Sequence, residues 1–413
     1  MKHLRIPLLA AVIGALIATP AFATQTRINS LSGGEKSITI RDQANIWALP
    51  QFLPTYGNQV DVDGTAGAKY GTMSVRYSLT DAATLLLYGA SSPWNGKGQI
   101  VNTTSVAGAT AGAASGFTPT QDPTNHQFGI GFGTKLGESM RLGTYLGIGG
   151  HNASSAQEHS NTAIDFNVGF GFNLSETNNL DFGLHIGYAT FTDQGTQGDL
   201  YLPNGLFNVG LVAKGEFQVH QIAKLVPYFM FSYDGRGVAH TADQLGNGAK
   251  QGNATLTTLS LGADLAISPA EGVTVQPGLG LMYRTSTVTG NPTPVPPGAQ
   301  VTIATLDNSS SDIMPYYGFA AEAAAFDWLV LRVGARQTIV RTDIGSTAPN
   351  GAPSNEQHTS KVLNTVTTGF GIALRGWQID LNVTPQFFNN GIFAATGAAT
   401  GGFAADFAIV YDW

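Results

Sequence analysis

The side chains able to act as catalysts or ligands are few and badly spaced. The chain has eight histidines and no cysteine, which removes thiol catalysis, disulfides and cysteine-based zinc sites. His185 and Asp181 share one face of a strand-like stretch. Four residues of strand separate them, about 13 Å, too far for a base and its orienting carboxylate. Glu158-His159-Ser160 is a loop tripeptide with no imposed geometry, and His240 and Asp243 fall in another expected loop. His151 and His159 flank a loop without the spacing of a ligand cluster. The run Gly129-Ile130-Gly131-Phe132-Gly133 has the glycines of a phosphate cradle. Here they alternate along a strand and no helix follows to supply the amide donors. The expectation is a protein that is not an enzyme, with no metal, cofactor or energy source.

Composition narrows the class. Charged residues are 11% of the 413, and glycine numbers 52. Ordinary soluble domains carry about 25% charge and about 7% glycine. Net charge is −7 with only 20 Lys and Arg, so no nucleic acid partner is expected, because phosphate binding needs clustered positive charge. The basic residues Lys2 and Arg5, the apolar residues 6–17 and Ala21-Phe22-Ala23 have the layout of a secretory signal peptide cleaved near Ala23. Its apolar core is shorter than the ~20 residues a spanning helix needs.

The elements that must position the remaining polar residues are strands. Leu180, Phe182, Leu184, Ile186 and Tyr188 alternate with Asp181, Gly183, His185 and Gly187, a period of two that sends successive side chains to opposite faces. The same alternation recurs at 166–174, 259–265, 273–284, 329–336 and 377–383. Short connections near 79–83, 137–140, 175–179, 219–224, 268–272, 325–327 and 375–376 take turns with long ones near 92–124, 152–160, 193–203, 236–253, 287–311, 343–361 and 389–401. Long strands with alternating short turns and long loops predict an all-β, transmembrane, antiparallel up-and-down barrel. About sixteen strands are expected between residues 55 and 413, with fourteen as the alternative. Residues 24–54 form a short N-terminal pre-barrel segment with one possible strand at Ser37–Arg41. Two readings of it stay open, a plug across the lumen or a loose periplasmic lead.

Trp328 and Trp377 fall at short-turn ends, whereas Tyr88, Tyr188, Tyr233, Tyr283 and Tyr317 fall toward long-loop ends. Two aromatic rims suit the two membrane–water interfaces. The chain closes on Phe403, Ala405, Phe407, Ile409, Tyr411 and Trp413 in alternation. This resembles the C-terminal assembly signal of Gram-negative bacterial outer-membrane β-barrels, carried here by Phe407, Ile409, Tyr411 and Trp413. The resemblance is porin-like in size and covers residues 55–413. It implies an outer-membrane location, contact with lipid and lipopolysaccharide, and recognition by the outer-membrane assembly machinery.

If the apolar face meets lipid, the other lines the lumen. The inward set is Arg76, Asp165, Asp181, His185, Lys214, Glu216, Asp264, Arg284, Glu322, Arg332, Arg336, Asp380 and Asp406, with Asn167, Gln276, Gln378 and Asn382. Much of the rest is glycine, alanine, serine and threonine. Sixteen strands enclose an aqueous bore unless something fills it. The expected function is therefore passive diffusion of small hydrophilic solutes or ions. The set holds five basic and seven acidic groups, a small negative excess that favours cations. The alternatives are a plugged channel for a hydrophobic substrate and a structural or adhesion barrel with an occluded lumen.

Overall fold

The computed structural model describes residues 24–32, 37–65, 71–93, 124–154, 158–195, 198–201, 206–241, 250–290, 307–347, 353–383 and 404–413. The expected signal peptide and much of several expected loops, among them the one carrying Asp243, lie outside these.

The strands are β1 (Gln59–Thr65), β2 (Gly71–Thr80), β3 (Ala83–Pro93), β4 (Thr124–Leu136), β5 (Met140–Ser154), β6 (Glu158–Asn173), β7 (Asn179–Gly195), β8 (Gly198–Tyr201), β9 (Leu206–His220), β10 (Ala223–Thr241), β11 (Lys250–Ala270), β12 (Val273–Gly290), β13 (Asp307–Phe326), β14 (Leu329–Thr347), β15 (Pro353–Leu374), β16 (Trp377–Val383) and β17 (Ala404–Asp412). Each pairs antiparallel with its neighbours, and β1 pairs with both β2 and β17, which closes the ring. The four-residue β8 pairs with β7 and β10 and continues the wall position of β9. The wall is thus a closed sixteen-strand antiparallel barrel.

Alternation builds its two faces. Ile130, Leu146, Phe166 and Ile186 form one register row across β4–β7, and all four are exposed on the outside. Their chain neighbours Gly131, Gly147, Asn167 and His185 point inward. An unbroken belt of exposed apolar side chains is suited to lipid. At the short end, Arg375 and Gly376 both have positive φ, 44° and 86°, the conformation of a two-residue hairpin turn whose twist matches the strands.

Strands β10–β15 run 18 to 22 residues, while β1 and β16 have seven each. Parts of the expected long loops near 152–160, 193–203, 236–253, 287–311 and 343–361 are therefore ladder. Once two strands are side by side, continued pairing satisfies backbone groups that a loop would leave to water. Hydroxyl pairs such as Ser286–Ser310 at 2.7 Å reinforce it.

The N-terminal segment lies inside the barrel. Helix α1 (Gln25–Leu31) starts at Thr24, whose side chain accepts from the Arg27 amide. Two 3₁₀ turns follow, Gln43–Trp47, capped by Asp42, and Pro50–Thr55, which starts on a proline. Such caps satisfy amides that a helix start leaves without partners. Ser37–Arg41 is not the expected strand but an irregular bend. Ile38, Thr39 and Ile40 are all buried, so no face is left for a strand's usual alternation.

Candidate functional site: the occupied lumen

Inside the barrel the segment makes a second apolar core, separate from the lipid-facing belt. Ile28, Ile38, Ile46, Trp47, Leu49, Phe52 and Leu53 pack with Leu86, Tyr88, Tyr145, Val212 and Met230 from the wall. Trp47 meets Tyr88 and Tyr145 edge-on, with ring centroids at 4.9 and 5.7 Å. Its carbonyl accepts from the Tyr145 hydroxyl at 3.0 Å and the Asn167 amide at 2.7 Å.

Glycine makes the room. Gly133, Gly143, Gly169 and Gly183 are one register row across β4, β5, β6 and β7. Residues 48–54 cross these four strands along that row. A Cβ on Gly183 would overlap the Ala48 carbonyl, one on Gly143 or Gly169 would overlap Pro50 or Gln51, and one on Gly133 would press on Leu53 and Pro54. Close backbone approach is what glycine in a strand allows. The run of glycines at 129–133 is thus explained by packing. Gly129 faces the Tyr88 ring and Gly133 faces Leu53.

Charge ties the segment to the opposite wall. Arg27 donates to both Glu322 oxygens, at 2.7 and 2.9 Å, and to Asp42 at 3.1 Å. Arg332 donates to the same Glu322 at 2.7 Å and to Asp380 at 2.6 Å. Thr24 completes the chain by donating to Asp380 at 3.0 Å. Two guanidiniums thus hold three carboxylates, two of them on the wall. Burial is the largest influence on Asp42 and pushes its carboxyl up to about 7, with Arg27 opposing. Removing one partner from such a buried network leaves a charge without compensation, whose cost exceeds that of a surface pair.

The inward residues expected from sequence take definite partners. Arg76 donates to Asp61 at 2.9 Å and to Gln43 at 3.1 Å. Asp181 accepts from Gln51 at 3.1 Å and Arg141 at 3.2 Å. Lys214 pairs with Glu216 at 3.0 Å, and Arg284 with Asp312 at 2.6 Å. Asp264 accepts from Thr39 and, at 2.9 Å, from Gln276. Asp406 accepts from Asn29 at 2.9 Å and Asn382 at 3.0 Å, while Gln378 donates to Asp380. Arg336 lies 3.8 Å over the Tyr316 ring. These groups meet one another and the segment.

His185 lies 3.1 Å from Asp165, on the neighbouring strand, a pairing that spacing along one strand could not reveal. Asp181, on its own strand, serves Gln51 and Arg141 instead. Both members of the His185–Asp165 pair are almost wholly buried, with no edge open to a substrate. Among the described residues, no group of three or more His, Asp or Glu is placed to hold a metal. Phe52, stacked under Arg141 at 5.1 Å, and Trp47 carry much of this core, and sequence reasoning singled out neither. Pro50 and the inward glycines were the only local signals.

On the outer face, Tyr188, Tyr283, Tyr317, Trp328 and Trp377 are exposed, and Tyr233 is half-buried. Tyr88 is corrected: it was expected at the outer rim, but it points inward onto Trp47, where glycines on β4 and β5 admit its ring. Phe407 of β17 and Trp413, just after it, are exposed, while Ala408 and Val410 are fully buried. Tyr411 packs on Trp377 at 4.5 Å between ring centroids.

A closed sixteen-strand wall, apolar outside and packed inside against its own N-terminal segment, defines an outer-membrane-type β-barrel with an occupied lumen. No family model matches the sequence, and no curated protein sequence matches it significantly. Among solved structures, the alcaligin outer-membrane receptor FauA from Bordetella pertussis aligns at 11% identity and a TM-score of 0.46, over 78% of this chain and 59% of the receptor. A bacterial polysaccharide outer-membrane secretin aligns at 9% identity and a TM-score of 0.43, over 86% and 97% of the two chains. The copper transporter OprC aligns at 10% identity and a TM-score of 0.42, over 79% of this chain and 61% of its own. The chain thus spans about three-fifths of the length of FauA and OprC.

Proposed function

We propose that the protein is an outer-membrane channel held closed by its own N-terminal segment, and that its substrate is apolar or amphipathic. The observation that carries this reading is the fit of residues 48–54 to the glycine row. A loose periplasmic lead would have no use for four aligned glycines at the one place where its backbone needs them. The buried Arg27–Glu322 pair supports the same reading, because an open aqueous pore has no need to bury charge against a tethered segment. This replaces the expected open diffusion pore and its mild cation preference. In this reading the first 23 residues direct secretion, and the last strand is read by the assembly machinery. The wall meets lipid and lipopolysaccharide, and the protein performs no catalysis.

The test is conductance of the refolded full-length barrel in a planar bilayer with a salt gradient. A closed channel gives no steady conductance. A variant lacking residues 24–54 gives stepwise openings. Steady conductance from the full-length barrel would overturn the closed-channel reading.

A further inference from the structure

The N-terminal segment begins among carboxylates. Asp63 of β1, Ala408 of β17 and Asp380 of β16 form one register row, and Thr24 bridges it. The Thr24 hydroxyl donates to Asp380 at 3.0 Å. The next amide, that of Gln25, donates to Asp63 at 3.3 Å, and the Thr26 hydroxyl donates to Asp63 at 3.0 Å. Ala408, between the two carboxylates, is fully buried. In the adjoining row Asn382 faces Asp406, which accepts from Asn382 and from Asn29 of α1. Asn382 is 5% exposed, and its Oδ1 has no donor. The bond from its Nδ2 to Asp406 turns this amide into the cluster, so the acceptor without a donor belongs to it. Such an acceptor costs its full desolvation unless a donor arrives.

The charges around α1 are unequal. Asp42, Glu322 and Asp380 share two guanidiniums, those of Arg27 and Arg332. Asp406 takes its bonds from two neutral amides. Covalent geometry keeps the Thr24 nitrogen within about 4 Å of its own hydroxyl oxygen, the atom that donates to Asp380. The expected leader cleavage after Ala23 falls at this same nitrogen. In the precursor it is an uncharged amide. Hydrolysis adds water across the Ala23–Thr24 bond, so that Ala23 leaves as a carboxylate and Thr24 gains an α-ammonium with three donors. A cation at the start of a helix is opposed by the helix dipole. The carboxylates on either side offset that.

We propose that Asp63, Asp380 and Asp406, with Asn382, form a socket for the α-ammonium of Thr24, and that removal of the leader thereby completes the lock between segment and wall. The proposal rests on cleavage after Ala23 and goes beyond the closed-channel reading.

The test begins with N-terminal sequencing of the protein purified from outer membranes, where Thr24 is expected first. The folded barrel in detergent micelles is then pulsed with an acetylating reagent from pH 6 to pH 10. Acetylation of the N-terminal peptide is read by mass spectrometry. Only the unprotonated amine reacts, so the midpoint of the rate profile reports where the ammonium loses its proton. Opposite charge nearby favours the charged form. The expected midpoint is about one pH unit above the ordinary α-amino value near 8, an approximately tenfold slower reaction at pH 7.5 than in the urea-unfolded chain. Asp63→Asn and Asp406→Asn each bring the midpoint down, with folding judged by heat-modifiable gel mobility. Should neither variant fold, the midpoint of the parent barrel decides. A folded midpoint at or below that of the unfolded chain overturns the socket, and so does a raised midpoint that neither folded variant moves. A first residue other than Thr24 overturns the cleavage site and the proposal with it, and leaves the closed channel standing. A barrel that conducts yet shows the raised midpoint loses the closed channel and keeps the socket.

Discussion

The walls β4–β7 and β10–β14 use the same residue for opposite ends. The register row through Gly133, Gly143, Gly169 and Gly183 continues through Val212, Met230, Ser260, Met282 and Met314. On the first half the side chains vanish, and the segment backbone lies where they would be. On the second half the segment is farther away and side chains reach toward it. In the second wall, one row below, Gly262 and Gly280 give room to the Tyr228 and Tyr316 side chains, whereas Gly334 lies against the Leu31 backbone of the segment. Inward glycine therefore marks either room for the segment backbone or room for a side chain of the wall itself, and what decides between them is which part of the chain lies opposite.

The largest test of this contrast is at the tether between segment and wall. Arg27→Met leaves Glu322 and Asp42 without their shared guanidinium, although Arg332 still reaches Glu322. Breaking such a buried pair costs about 3–5 kcal/mol. The segment should become protease-sensitive while the barrel keeps its heat-modifiable mobility. A segment as resistant as in the parent would show that the glycine track alone holds it.

Next in size is Gly143→Ala. Its side chain would overlap the Pro50 carbonyl, and overpacking of this kind costs about 1–3 kcal/mol. Released residues 48–54 should appear as a red shift in the emission of Trp47. The matched substitution on the other wall, Gly318→Ala, meets only the Ala335 carbonyl at 3.2 Å and Arg336 at 3.9 Å. It should change stability by no more than about 0.5 kcal/mol in denaturant titration. Equal effects at the two glycines would erase the contrast.

A smaller effect is expected from pH. Burial raises the folded-state pKa of Asp42 to about 7, above the ordinary carboxylate value near 3.9. The docked segment thus holds this proton more tightly than the released one. Docking is favoured at low pH, and that contribution is lost as pH rises from about 4 through 7. Proteolysis of the segment should be slower at pH 5 than at pH 8, and Asp42→Asn should flatten the difference. An unchanged profile in Asp42→Asn would place the pH dependence elsewhere.

Much of the barrel was legible because it depends on a local rule. Alternation at 180–188 or 377–383 places apolar groups on one face whatever the partner strand, and a one-residue slip would reverse every side chain. The short turns followed for the same reason. Strand ends were less legible. Ladder pairing extended β10–β15 into stretches rich in threonine, serine and asparagine, where alternation carries no hydrophobic signal. The inward charges were also readable as a set, but not their partners. Asp165 finds His185 only once β6 and β7 pair in register, and Glu322 finds Arg27 only once the segment docks.

The sequence by itself determined that this chain forms strands with one apolar face, about sixteen of them, with polar and small residues on the other. Period-two patterning, turn spacing and strand length suffice for that, because each acts within a few residues. Only the tertiary structure decided that residues 24–32 and 37–56 lie inside the barrel, that Tyr88 turns inward to meet Trp47, and that Arg27 is held between Glu322 and Asp42. Those outcomes depend on contacts between residues tens to hundreds of positions apart. Glycine, the residue that makes room for them, has no side chain to show in advance what will occupy the space.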